Sequence, residues 1–333
     1  MERQSGVDII TFVEGCVIES DYVTLVSFPD AIDPHSVDFS RVFFYDGQEE
    51  ENQRWAKRDF DWHVVSVCVW RHSPFGKRAY VTISREGNVE IECAGGDPVH
   101  IECIPDSGLH EDWSADYGYL NRVREIGTHL YACGDQRQVY RRDDMGNWVH
   151  FDQNILIPAA ATIDELNTIN ADLMDIAGLS EDSIYAVGYG GEVFYYDGTA
   201  WRKIESGLDE QLLRIKILSE DAVYIIGANG SLLAGNYRDG FRNLSSVEDN
   251  QRFTGIEIFH NTIFLASNIG MFTYDEHTKR IAPYKTTLQP DLVDCHLLEA
   301  KDGVLWSIGF KDLAYFDGFT WTRIDHPDNP PIR

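Results

Sequence analysis

The sequence predicts an all-β fold, a single β-propeller of seven four-stranded blades, from three observations. Segments in the C-terminal half repeat with anchors at Gly188, Gly227, Ser267 and Gly309, spaced 39, 40 and 42 residues apart. Each repeat holds four short strand-like runs separated by turn residues, and a period of about 40 residues with that content is the pattern of a propeller blade. Helical periodicity is scarce: only the insertion at roughly 153–171, with Ile163, Leu166 and Ile169, offers a helical turn or two.

The elements follow in order within each repeat. A leader such as DLMDIAG or QLLRIKI supplies the first strand. A nearly all-apolar second strand follows, IYAVG from Ile184 or VYIIG from Val223, and it ends on a small residue. A tight turn and an alternating third strand such as GEVFYYD lead to Asp-Gly turns at Asp197-Gly198, Asp239-Gly240 and Asp317-Gly318. Glycine tolerates the positive φ that such turns require. The fourth strand carries an aromatic: Trp148, Trp201, Phe241 and Trp321. A further copy from Leu130 is anchored at Gly134. The repeats are clear over 118–326 and divergent over 7–106, where Tyr45-Asp46-Gly47 and Trp55 echo the later turn and aromatic. Blades fall near 7–60, 61–106, 118–152, 172–206, 211–245, 252–286 and 292–326, with a short tail at 327–333. The divergence of the first two keeps six or eight blades open. The ring is expected to be closed by strands from both chain ends, which removes open edges.

The run IYAVGYGGEVFYYDGTAWRKI resembles the degenerate bacterial repeats grouped with WD40/YVTN-like and photosystem-assembly-factor-like propellers. The resemblance implies the fold and carries over no catalytic residue, because propellers of this kind serve very varied functions. The paired signatures of true WD40 blades are missing. Asp61-Trp62 and Asp112-Trp113 lie off the repeat spacing, and the double glycine Gly190-Gly191 occurs in one blade only.

Charge excludes one large class of function. The chain of 333 residues has a net charge of −27, with acids in excess along its whole length. A general nucleic-acid binder needs a basic stripe to displace counterions from phosphates. The N-terminal segment lacks a basic region followed by an apolar one, so no secretory signal is expected there, and no apolar run is long enough to span a membrane. The six cysteines (Cys16, Cys68, Cys93, Cys103, Cys133, Cys295) form no CxxC pair. A zinc site is therefore not expected, and a reducing cytoplasm is the simplest location.

No catalytic, cofactor or metal site emerges. Gly188, Gly190 and Gly191 sit in a strand-to-strand turn with no helix N-terminus to receive phosphate, and neither GxSxG nor HExxH occurs. His63 and His72, with Asp61, could be imagined around a metal, but they read as ordinary strand positions, and His110-Glu111-Asp112 reads as a linker. Asp46, Asp197, Asp239, Asp275 and Asp317 recur in the same turn, as expected of residues that cap backbone amides. The acid runs Glu49-Glu50-Glu51 and Asp143-Asp144 interrupt the repeat and are the candidate partner-binding residues. In the hairpin around Gly95-Gly96-Asp97, Cys93 is expected opposite Val99, Glu92 opposite His100 and Ile91 opposite Ile101, which leaves Cys93 and Cys103 unbridged.

These readings favour a non-enzymatic propeller that binds another protein, most specifically a cytoplasmic immunity or inhibitor protein that neutralises a basic toxin domain, with no nucleic acid and no membrane as partner. A propeller-fold carbohydrate-active enzyme, with acids converging on the central channel, and an assembly scaffold are the alternatives.

Overall fold

The structure, a computed structural model, describes residues 9–33, 36–109, 115–159, 162–166, 168–246 and 249–330. Seven four-stranded antiparallel sheets are arranged as the blades of a propeller. Blade 1 spans residues 10–60, blade 2 64–103, blade 3 120–150, blade 4 173–204, blade 5 212–243, blade 6 253–283 and blade 7 297–323. In each blade the strands pair in chain order, and the first strands of neighbouring blades pack on one another around the axis. The helix expected in the insertion is one turn, Ile163–Leu166.

Burial follows position in the blade. The second strand of blade 4, Ser183–Gly188, is buried along nearly its whole length, as a strand covered on both faces must be, whereas the outer strand Trp201–Ile204 buries its tryptophan and exposes the Arg202 and Lys203 that follow. The apolar side chains gather into seven clusters, each spanning the space between two successive blades. The fourth-strand aromatics fill these spaces backwards. Trp201 of blade 4 packs with Ile126 and Tyr131 of blade 3, and Trp55 of blade 1 packs with Trp306 and Ile308 of blade 7.

The anchor glycines answer to a close approach rather than to a special dihedral. Gly188 is extended (φ −167°), but a methyl group there would overlap the Asp172 carbonyl oxygen, which accepts the Tyr189 N–H at 3.0 Å. The recurring aspartates cap their turns as expected: Asp197 Oδ1 accepts the N–H of Thr199 and Ala200, and Asp317 Oδ1 accepts those of Phe319 and Thr320. Blade 5 departs from this expectation, since Asn236, not Asp239, accepts the turn amides.

Two expectations are corrected. No blade mixes strands from both ends among the described residues; the C-terminal segment instead closes the seam between blades 7 and 1. Ile10 N–H donates to the Asp328 carbonyl at 2.8 Å, Asn329 Nδ2 donates to the Phe310 carbonyl, and His326 is buried against Phe12, Phe43 and Trp55. The start of the tail is thus part of the fold. In blade 2 the hairpin register lies one residue from that expected: Glu92 faces Val99 and Ile91 faces His100. Cys93 N–H donates to the Pro98 carbonyl at 3.0 Å, so the ladder starts one residue earlier. Glu92 pairs with Arg58 of blade 1, not with His100. All six cysteines are free.

Candidate functional site

The first strands bring charged residues to the axis in two rings, a result of the period of two along a strand. Flanking the central apolar residue of blades 3, 4 and 5 (Val123, Ile176 and Ile215) are Arg122 and Arg124, Asp175, and Arg214 and Lys216. Blade 1 contributes Glu14 and Cys16, blade 2 Ser66 and Cys68, blade 6 Glu257 and blade 7 Glu299. Most of them line a polar cavity of about 130 Å³ on the axis.

Opposite charges interlock there. Arg122 reaches Glu14 at 3.0 Å and Asp175 at 3.6 Å; Arg124 reaches Asp175 at 3.2 Å; Arg214 reaches Glu14 at 3.2 Å; and Lys216 reaches Glu257 at 2.5 Å. The same carboxylates staple neighbouring blades by accepting backbone N–H groups. Asp175 takes Ile215 N at 3.0 Å, Glu257 takes Ala300 N at 3.0 Å, and Glu299 takes Val17 N at 2.8 Å. Burial alone would raise the Glu14 and Asp175 carboxyls, but the surrounding arginines outweigh it and hold both below the usual range. Glu299, which has no ion pair among the described residues, is pushed up by burial. Burial also pushes the Cys68 thiol up to about 12 and lowers Arg214 to about 10. Four cations here balance four carboxylates, so the −27 charge of the chain resides elsewhere.

The channel carboxylates are therefore tied to cations or to the N–H groups of the next blade. That does not favour the enzyme alternative, which needs a free pair at the channel mouth. A second carboxylate pair, Asp135 and Asp172, lies between blades 3 and 4 beside the start of their first strands, outside the residues that line the cavity. Burial and the charge of Asp172 raise Asp135 to about 7, and Asp135 accepts the Tyr119 N–H at 2.8 Å, which ties down a connection.

The sequence singled out none of the charged axial residues. Their signal was present in charged residues on both sides of an apolar one, as in Arg122-Val123-Arg124 and Arg214-Ile215-Lys216, but only the ring shows that they converge.

Antiparallel blades give the disc two distinct faces. Turns between strands one and two and between strands three and four lie on one, here the turn face; the remaining turns and the inter-blade connections lie on the other, the connector face. Glu49, Glu50 and Glu51 are exposed in the third turn of blade 1, and Asp143 and Asp144 occupy the corresponding turn of blade 3. The structure places both runs on the turn face but two blades apart. Asp143 caps its turn, accepting the N–H of Met145 at 3.0 Å and of Asn147 at 2.8 Å. Asp144 projects into solvent and contacts only the edge of His129 Nε2, at 3.1 Å. His63 and His72 lie at opposite ends of the strand Val64–Trp70 and do not converge; His63 packs on Phe28 and His72 bonds Glu125. His110, Glu111, Asp112 and Trp113 lie outside the described residues.

Fold and axis together define the class: a seven-bladed β-propeller whose channel is plugged by a charge-neutral network. It is similar to the WD40 β-propeller domain of Doa1 (TM-score 0.61, 8% identity, covering 96% of this chain and 94% of that one). It is also similar to YCF48, solved bound to D1 peptide (TM-score 0.60, 13% identity, covering 91% of this chain and 90% of that one). No family model matches the chain. It is 30% identical over 325 residues, 95% of its length and 98% of the relative's, to the immune protein Tsi7 of Pseudomonas aeruginosa (strain PAO1). The chain belongs to the family of that immune protein.

Proposed function

We propose that this propeller binds and neutralises a toxin protein in the cytoplasm, without catalysing a reaction of its own, and that the toxin surface it meets is basic. The observation that carries the reading is full-length kinship with an immune protein. The surplus of negative charge supports a basic partner, since the summed field of such a body raises the encounter rate of a cation-rich surface. Within that field Glu49, Glu50, Glu51 and Asp144 are exposed contributors, while Asp143 is committed to its turn. No helix among the described residues is long and apolar enough to cross a membrane.

The experiment is co-expression with the toxin encoded beside this gene. Cells carrying both are expected to survive where the toxin alone kills. Death of the co-expressing cells, absence of any neighbouring toxin, or turnover of a glycan by the purified protein alone would each contradict the reading.

A further inference from the structure

We propose that an aromatic pocket on the outer part of blade 1, facing blade 2, receives an arginine or lysine side chain of the basic partner; this rests on the toxin-binding reading above. The pocket has a volume of about 280 Å³, and its lining includes Tyr22, Phe44, Ala56, Asp46, Glu49 and Arg54. Side chains alternate across each strand, and Tyr22 and Phe44 both point toward blade 2. Tyr80 backs them there, with ring centroids at 6.1 and 5.5 Å. On the outermost strand the residue opposite Phe44 is Ala56, which is exposed and too short to cover the ring.

Blade 4 shows what such a pocket holds. The repeat aligns Tyr45-Asp46-Gly47 with Tyr196-Asp197-Gly198 and Trp55 with Trp201. Tyr195, Asp197 and Arg202 therefore occupy the places of Phe44, Asp46 and Ala56. In blade 4, Arg202 faces Tyr195 across the strands and pairs with Asp197. Blade 1 keeps the ring and the carboxylate but has alanine in place of the arginine. A guanidinium also suits these rings: Arg78 of blade 2 lies over Tyr22 at 5.7 Å and over Tyr80 at 5.9 Å, and pairs with Glu19.

The carboxylates of the pocket are not committed to cations. Asp46 accepts the Gln48 N–H at 2.9 Å, and Glu49 accepts Arg54 Nε at its backbone carbonyl, 3.1 Å away; neither carboxylate makes an ion pair among the described residues. Arg54 lies beside the Tyr45 hydroxyl, and Tyr45 packs toward blade 7 on the other side of the sheet. Glu50 and Glu51 extend the acidic rim. A cation over an aromatic face and beside a carboxylate gains from both, while its aliphatic stem covers apolar surface. The groove on blade 5, lined by Tyr224, Ala234, Asp221, Asp239 and Arg242, lacks this character. Arg238 pairs with Asp221, Asn236 Nδ2 donates to Asp239 at 2.9 Å, and the exposed Arg242 repels a further cation.

The test fills each groove of the full chain with a neutral side chain: Ala56→Tyr in blade 1, and Ala234→Tyr in blade 5, which matches Tyr195 of blade 4. Binding is measured against the purified neighbouring toxin, with thermal unfolding as a check on folding. Ala56→Tyr is expected to release the toxin at least tenfold faster and Ala234→Tyr to release it as the parent does, both with nearly unchanged melting temperature. Phe44→Leu, which keeps apolar bulk but removes the ring face, is expected to speed release about threefold to tenfold. Parent-like release by Ala56→Tyr, or an equal loss in both filled variants, overturns the assignment while leaving the toxin-binding reading intact. Parent-like release by Phe44→Leu beside faster release by Ala56→Tyr shows an apolar group in the pocket and overturns the cationic occupant. A parent that binds no toxin at all overturns both readings. Sedimentation supplies the remaining contrary outcome: a parent dimer that Ala56→Tyr makes monomeric would show that a second copy of this chain fills the pocket.

Discussion

Gly188 shows what a single residue does in this fold. Sequence repetition marks it as a small residue ending a strand, and the structure supplies the reason in the Asp172 carbonyl pressed against its Cα. Gly188→Ala is expected to cost about 1–3 kcal/mol, the range for overpacking a tight site, read as a lower midpoint in urea; an unchanged midpoint would show that the connection yields. The thiols provide a second residue-scale prediction. Cys103 is exposed whereas the other five are buried, and burial pushes Cys68 and Cys295 up to about 12, away from the reactive thiolate. Titration should find six thiols after denaturation without reductant and one fast-reacting thiol in the native protein. Four or fewer after denaturation would contradict the reduced state. Turn-capping aspartates were legible because their job is local and repeated. The cap at Asn236 in blade 5, and the capping role of Asp143, were not, because which side chain folds back onto the turn depends on its geometry rather than on residue type.

At the scale of the element, each blade is joined to the next by an apolar cluster, and ion pairs and carboxylate–amide bonds at the axis tie together several blades, some of them not adjacent. The clusters could be read from the sequence, since alternation and a fourth-strand aromatic recur in every clear repeat. The axial ties could not: Glu14 and Arg122 are 108 residues apart in a chain rich in both charge types, and only closure of the ring sets them at 3.0 Å. Both are nearly fully buried, so removing one leaves the other uncompensated. Arg122→Met is expected to destabilise by about 3–5 kcal/mol, and Glu14→Gln/Arg122→Met to recover a substantial part of that loss, as for buried ion pairs generally. Denaturant unfolding of the parent and both variants checks this. A double variant no more stable than Arg122→Met would show that the pair is not the unit of stabilisation. The hairpin of blade 2 marks the limit of pattern reading at this scale, because its register turned on whether Cys93 pairs with residue 98 or 99.

The whole molecule depends on its seam, where residues 326–329 bind the ends of the ring together. Burial among Phe12, Phe43 and Trp55 lowers His326 to about 4 from its ordinary 6.5, with nearby Lys57 adding to the shift and Asp328 opposing it. Its Nδ1 accepts the Asp328 N–H at 3.0 Å, which also requires the neutral ring. A depressed histidine contributes stability that is complete above pH 6.5 and is lost as pH falls toward 4, because the unfolded chain takes up the proton first. Other groups titrate in this range, with burial raising Asp294 to about 6, so the informative quantity is a difference. The parent should lose melting temperature relative to His326→Gln between pH 7 and pH 4. Parallel curves would remove His326 from the account. Seven blades were legible from the whole sequence, as was the net charge; the seam was not, since a tail's contacts lie on a distant part of the chain.

The central claim, that this acidic propeller acts by capturing a toxin, is tested most directly by the kinetics of the purified pair in rising salt. Surface charges farther apart than about 8–10 Å are screened at physiological ionic strength. The account therefore predicts a stable complex whose association slows as salt rises, while dissociation, set by the desolvated contact, changes little. Neutralising Glu49, Glu50, Glu51 and Asp144 to their amides should slow association further without altering the melting temperature. A toxin that does not bind at micromolar concentration, or that associates at the same rate at every salt concentration, would contradict it.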